Sequence, residues 1–194
     1  MIVNDANPNQ VISETGLNNV FGGTRTTEIT LTNAGIPQAD DIRISVFMTP
    51  GIFDYRSTSE ASGFLSLTYD AGGAGLGIDL SNQIGLDIDF LSFDLGNGIP
   101  MPVTATVSDG MNSASLEISL TSAGAQVITF DFMDFSNIGS VDLSAIQSIS
   151  FDFDAGNAAD FRIDQIVTTG VIPAPGALAL LGIAGLLGMR RRRA

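Results

Sequence analysis

The stretch Val103-Thr104-Ala105-Thr106-Val107-Ser108-Asp109-Gly110-Met111-Asn112-Ser113-Ala114-Ser115-Leu116-Glu117-Ile118-Ser119-Leu120 decides the fold. Apolar residues recur at every second position on both sides of an Asp-Gly pair: Val103, Ala105 and Val107, then Leu116, Ile118 and Leu120. Successive side chains of a strand point to opposite faces, so each run reads as a half-buried strand. Asp109 and Gly110 tolerate the positive φ that a type I′ turn needs, so the two runs form an antiparallel hairpin. The same period of two returns in Ile42, Ile44, Val46 and Met48; in Leu65, Leu67 and Tyr69; and in Leu76, Ile78 and Leu80. It recurs in Ile128, Phe130 and Phe132, and in Ile149, Phe151 and Phe153. Turn chemistry at Asn33-Ala34-Gly35, Ala71-Gly72-Gly73, Gly96-Asn97-Gly98 and Ala155-Gly156-Asn157 separates about ten strands. Many short antiparallel strands in one domain mean an all-β sandwich or barrel. Between Ile84 and Leu95 the phase slips, and a bulge near Phe90 and Leu91 reconciles the two halves. Val141 to Ile146 reads as a short helical turn capped by Asp142.

Charge divides the chain in two. It contains no lysine, histidine, cysteine or tryptophan, and its eight basic residues are all arginine. Four of those arginines end the chain, so the body opposes Arg25, Arg43, Arg56 and Arg162 to all 21 acids, a net charge of −17. Such a surface repels nucleic acid and anionic polysaccharide. Without cysteine there is no disulfide framework. The absence of histidine, cysteine and lysine removes the usual general base, thiol nucleophile and Schiff-base amine, and argues against an enzyme.

The last two dozen residues are of another kind. Ile172-Pro173-Ala174-Pro175 precedes an uncharged run from Gly176 to Met189, and Arg190-Arg191-Arg192-Arg193 closes it. The run makes about 21 Å of helix, or about 28 Å if counted from Val171, close to a hydrocarbon core of ~30 Å. The arginines place the C-terminus in the cytoplasm and residues 1–170 outside it. A buried helix with a basic tail is the alternative. Proline box, apolar run and arginine cluster together resemble the PEP-CTERM sorting signal of Gram-negative bacteria, departing from it at Ala174, where that family carries glutamate. The resemblance covers about 22 of 194 residues. It implies recognition by an exosortase, anchoring in the inner membrane through residues 176–189, and surface or extracellular display in bacteria that often make exopolysaccharide. Export also requires a secretory signal, which Met1 to Val20 lacks, so such a signal is expected upstream.

A softer resemblance covers Phe135-Ser136, Val141 to Ile149, Phe151-Asp152-Phe153 and Phe161-Arg162-Ile163-Asp164-Gln165-Ile166. These are similar to the closing strands of jelly-roll domains of the galactose-binding and carbohydrate-binding type. The resemblance implies an antiparallel β-sandwich of jelly-roll type and a structural calcium shared between Asp164 and an acid near the first strand, for which Asp5 is the candidate. Hydrogen bonding of Asp164 to backbone, with Asp5 solvated, is the other reading.

Asp87 with Asp89, and Asp152 with Asp154, lie two apart on strands, about 6 to 7 Å from each other on one face. Glycosidases pair carboxylates at comparable spacing, but alternation with apolar neighbours makes these the wet face of a sheet. Sugar sites stack a ring on an aromatic face. Tyr69, ending an alternating strand, reads as core or rim, whereas Tyr55 lies in the turn-rich Phe53-Asp54-Tyr55-Arg56 and is the glycan-contact candidate. Two functions remain: a noncatalytic exported surface or matrix protein, sorted through residues 171–194, and a secreted carbohydrate-binding module.

Overall fold

The computed structural model describes residues 1–4, 6–33, 42–46, 52–58 and 60–170, with backbone alone for 42–46. In chain order the strands are β1 (Ile2–Val3), β2 (Asn9–Thr15), β3 (Thr24–Asn33), β4 (Ile42–Val46), β5 (Phe53–Ser57) and β6 (Ser62–Tyr69). There follow β7 (Gln83–Asp94), β8 (Met101–Ser108), β9 (Ser113–Leu120), β10 (Gln126–Asp131), β11 (Ser148–Ala155) and β12 (Asp160–Gly170). They form two six-stranded sheets, ordered β1-β4-β5-β12-β7-β10 and β2-β3-β6-β11-β8-β9. Every pairing in both is antiparallel. The chain is thus an all-β sandwich of jelly-roll type.

Alternation sets the core. Leu65, Leu67 and Tyr69 of β6, Ile149, Phe151 and Phe153 of β11, and Val103, Ala105 and Val107 of β8 face inward from the second sheet. Leu86, Ile88 and Phe90 of β7 and Ile128 and Phe130 of β10 meet them from the first. Aromatic rings join the two layers at the β5 end. Phe161 stacks on Tyr55 at 4.7 Å and on Phe153 at 5.2 Å, and Phe90 meets both Phe153 and Phe161 edge-on. Each such pair adds roughly 0.5–1.5 kcal/mol beyond burial.

The expected bulge is present. Along β12, Arg162 pairs with Ser92 and Ile163 with Phe90, so Leu91 is skipped on β7, and Gln165 then pairs with Asp89, so Asp164 is skipped one pair further on β12. The extra residue turns Phe93 back into the core beside Phe90, their rings 5.9 Å apart, while Leu91 faces solvent. The helical turn also forms: Leu143–Ala145 is one 3-10 turn, with the Asp142 carboxylate accepting from the Ser144 N–H.

Two local expectations are corrected. Leu76 to Leu80 is not a strand. Gly75 and Gly77 take φ of 84° and 60°, which breaks extended backbone on both sides of Leu76. The segment instead bonds the turn before β11, through Leu76 N to Gln147 O, Ile78 N to Ile146 O and Leu80 N to Leu143 O. The β8–β9 hairpin has the predicted partners but a different turn. Ser108 pairs with Ser113 across a four-residue loop, and Asp109 keeps a negative φ. Its side chain builds the loop, accepting from the N–H groups of Met111, Asn112 and Asp142. That bond to Asp142, with those to Asn112 and Met111, holds the carboxyl well below the usual aspartate range. Met48 and the tail, including the helix expected over 176–189, lie outside the described residues. Among the described residues no helix is long and apolar enough to cross a membrane.

Candidate functional site

The outer face of the second sheet is assembled by register. Val11, Glu28, Ser66, Asp152, Thr104 and Glu117 stand side by side across its six strands. One pair further along lies the row Asn9, Thr30, Phe64 and Asp154. Ser13, Thr26, Thr68, Ser150, Thr106 and Ser115 make a third row in the other direction, every member a hydroxyl. At ~4.8 Å between strands a row extends about 24 Å. Along the mapped rows of this face the described residues include no arginine. Phe64 is 36% exposed, with Thr30 and Asp154 directly beside it and Ser66 next along its strand.

Period two explains why these residues surface together. Phe64, Ser66 and Thr68 occupy the opposite parity to the core residues Leu65, Leu67 and Tyr69. An exposed phenylalanine was therefore legible from the sequence, by asking which aromatic falls out of phase with its strand's apolar set. Asp152 and Asp154 do share the wet face, as expected. So do Asp87 and Asp89, on the outer face of the first sheet, where Asp87 lies between Val167 and Thr129. Asp87 Oδ1 is buried without a hydrogen-bond partner.

Tyr55 is not a surface residue. It is fully buried on β5, stacked on Phe161, because the turn-rich segment is a strand whose Phe53 and Tyr55 point inward. The glycan contact proposed for it from sequence is corrected accordingly. Burial first, then the charges of Asp160 and Asp154, push its phenol above its ordinary range. Asp54, between Phe53 and Tyr55, is outward but only 1% exposed. Arg56 covers it with two bonds of 2.9 and 2.8 Å, and Arg162 approaches to 3.7 Å.

Asp164 sits exposed at the β12 bulge, and Asp5 lies outside the described residues. Calcium takes six to eight oxygen ligands, and among the described residues no group of three or more acids is placed to hold a metal ion. The sorting residues Pro173, Ala174, Pro175 and Arg190 to Arg193 also lie outside the described residues.

A second feature opens between the sheets. β5 stops pairing with β12 at Ile163, and beyond it a cleft of about 1010 Å³ lies between the β12 residues Ile163 to Thr168 and the inner face of the second sheet. Arg25, Tyr69, Phe53 and Phe21 line it, with Glu14 at its rim. Arg25 is an inward-facing cation, 7% exposed, held by Glu14 at 2.6 Å and set over the Phe53 ring at 5.5 Å.

No family model matches the chain, and no curated protein matches it. Solved structures are similar in fold. A family 11 carbohydrate-binding module from Clostridium thermocellum, in complex with a β-1,3-1,4-mixed-linked tetrasaccharide, is 16% identical, with a TM-score of 0.46 over 86% of this chain and 91% of that one. The family 30 module of a cellulosomal cellulase of Clostridium thermocellum is 11% identical, with a TM-score of 0.46 over 84% of this chain and 99% of that one. TmCBM61 in complex with β-1,4-galactotriose is 14% identical, with a TM-score of 0.38 over 78% and 91%. At these values the likeness concerns chain path and says nothing of ligand.

Proposed function

We propose that the protein is a noncatalytic carbohydrate-binding module that holds neutral glycan on the outer face of its second sheet. The observation that carries the reading is Phe64, an exposed ring set among hydroxyls and carboxylates. An aromatic face suits the apolar side of a pyranose. Thr30, Asp154, Ser66 and Asp152 around it supply the fixed polar groups that orient such a ligand. Acids with no arginine beside them among the described residues of these rows favour neutral over anionic chains.

Delivery belongs to the same reading. Residues 1–170 form the extracytoplasmic domain, and residues 171–194 the PEP-CTERM signal through which an exosortase and the inner membrane hold the protein before display at the cell surface. That part rests on the sequence resemblance alone, and exopolysaccharide is then the natural glycan.

Affinity electrophoresis in gels containing neutral or acidic polysaccharide tests the binding. The wild-type chain is retarded by at least one neutral polymer, and Phe64→Ala runs unretarded while keeping its melting temperature. Equal mobility of the two proteins in every gel would sink the reading.

A further inference from the structure

The cleft between the sheets bears on a ligand that the outer face does not explain. In a sandwich the two inner faces close on each other at about 10 Å, and inward positions are apolar. One inward row of the second sheet obeys this at Ala114, Val107 and Ile149 and reaches Tyr69, and in the same cleft lining stands the β2–β3 pair of Glu14 and Arg25. An ion pair on an inward row, with Arg25 buried and Glu14 part-buried, is weak evidence for stability, since apolar residues of the same volume often serve as well or better. This one stands at a cleft of about 1010 Å³, at the top of the range of ~300–1,000 Å³ for small-molecule sites.

We infer that the cleft is a second carbohydrate site, taking a terminal sugar with a vicinal diol, which the Arg25–Glu14 pair receives. Arg25 Nε and Nη2 both donate to one oxygen, Glu14 Oε2, at 3.1 and 2.6 Å. Glu14 Oε1 accepts no hydrogen bond among the described residues. The pair therefore offers a guanidinium donor beside a free carboxylate acceptor, the complement of adjacent hydroxyls, one accepting and one donating. Phe21, partly buried and edge-on to Tyr69 at 5.6 Å, provides an apolar wall for the C–H face. Since Glu14 already neutralises Arg25 and Asp164 stands at the mouth, an anionic ligand gains nothing here. Only the choice of a sugar as ligand class rests on the reading of the outer face; the cleft and its residues are separate from Phe64.

The chain has two tyrosines and no tryptophan, so Tyr55→Phe leaves Tyr69, in the cleft wall, as the reporter of tyrosine emission. Titrating this protein with a neutral disaccharide should give a saturable emission change. The permethylated disaccharide, lacking hydroxyl donors, should give none. Glu14→Gln, which preserves size, and the pair Arg25→Met with Glu14→Leu should each weaken the response about tenfold or more, as loss of a charge-assisted bond does, whereas Phe64→Ala should leave it intact. Circular dichroism checks that each variant is folded, and Glu14→Gln decides if the double variant is not. A flat emission signal with Phe64-dependent polysaccharide retention intact would overturn the second site alone. So would a response equal for the permethylated sugar, unaffected by Glu14→Gln, or abolished by Phe64→Ala. No binding in either assay would overturn both readings.

Discussion

Tyr55→Phe separates a core residue from a ligand contact, and its sign is unusual for a core substitution. The Tyr55 ring is fully buried and lies nearly parallel to Phe161, 9° between planes at 4.7 Å. Its hydroxyl is buried with no hydrogen-bond partner among the described residues. A buried, unpaired hydroxyl costs about 1–3 kcal/mol. Removing the oxygen keeps the stack and relieves that cost, so Tyr55→Phe is neutral or stabilising by up to about 1–3 kcal/mol. Tyr55→Ala discards the ring and leaves a cavity, costing about 3–5 kcal/mol, or roughly 6–20 °C in Tm for a domain of this size. Urea denaturation followed by circular dichroism gives both values, and affinity electrophoresis on the same proteins gives retention. Retention by polysaccharide should be unchanged in Tyr55→Phe. A loss of more than about 1 kcal/mol in Tyr55→Phe would mean that the hydroxyl is bonded. Loss of retention at unchanged stability would return Tyr55 to the surface and refute its placement in the core.

Other outcomes follow from particular contacts. The Tyr55 phenol is raised above its ordinary 10.0 by burial, so the folded state resists its ionisation. The stability that the Tyr55 phenol contributes is therefore complete below about pH 10 and falls as pH rises above it, and tyrosinate absorbance should appear together with unfolding rather than before it. Asp109 is shifted the other way by the three N–H groups it accepts, with Asp142 first. Its contribution is present above the ordinary aspartate value of 3.8 and fades as pH falls through the lowered one, so Asp109→Asn should flatten the acid limb of a Tm–pH profile. Gly96 has φ of 61°, and a Cβ there would come within 2.6 Å of backbone atoms of Asn157 and Ala158. Gly96→Ala should cost at least ~1–2 kcal/mol in urea melts, against an effect within ~0.5 kcal/mol for the exposed Leu91→Ser. Fusing residues 171–194 to an exported reporter should retain it in the membrane fraction, and Arg190 to Arg193 changed to alanine should release it; equal fractionation would refute the sorting role.

Much of the fold was legible because burial on one face of a strand writes itself as alternation. Leu65-Leu67-Tyr69 and Ile149-Phe151-Phe153 are core, and the phase slip at Phe90-Leu91 is a bulge, because sheet geometry leaves few ways to satisfy such patterns. Segments whose conformation depends on glycine and side-chain bonding were less legible. Leu76 to Leu80 alternates like a strand, yet its glycines take positive φ and its bonds go to a turn. Asp109-Gly110 has the composition of a tight turn, but the aspartate spends its carboxylate on three N–H groups instead. The candidate site was the least legible part. The polar neighbours Asp54 and Arg56 make Tyr55 read as a surface residue, but they pair with each other on the outer face while the ring turns inward. Phe64 carries no motif of its own, and parity alone exposes it. The inward position of Arg25 follows from the same parity, but its pairing with Glu14 depends on the β2–β3 register.

The central claim concerns which face meets glycan, and amide chemical-shift mapping tests it most directly. Isotope-labelled protein is titrated with a neutral oligosaccharide derived from a polymer that retards it. Shifts should concentrate at Glu28, Thr30, Phe64, Ser66, Asp152 and Asp154, with any second set confined to the Arg25 cleft. Shifts centred instead on Asp87, Asp89 and Thr129 of the first sheet, with the Phe64 neighbourhood silent, would contradict the account.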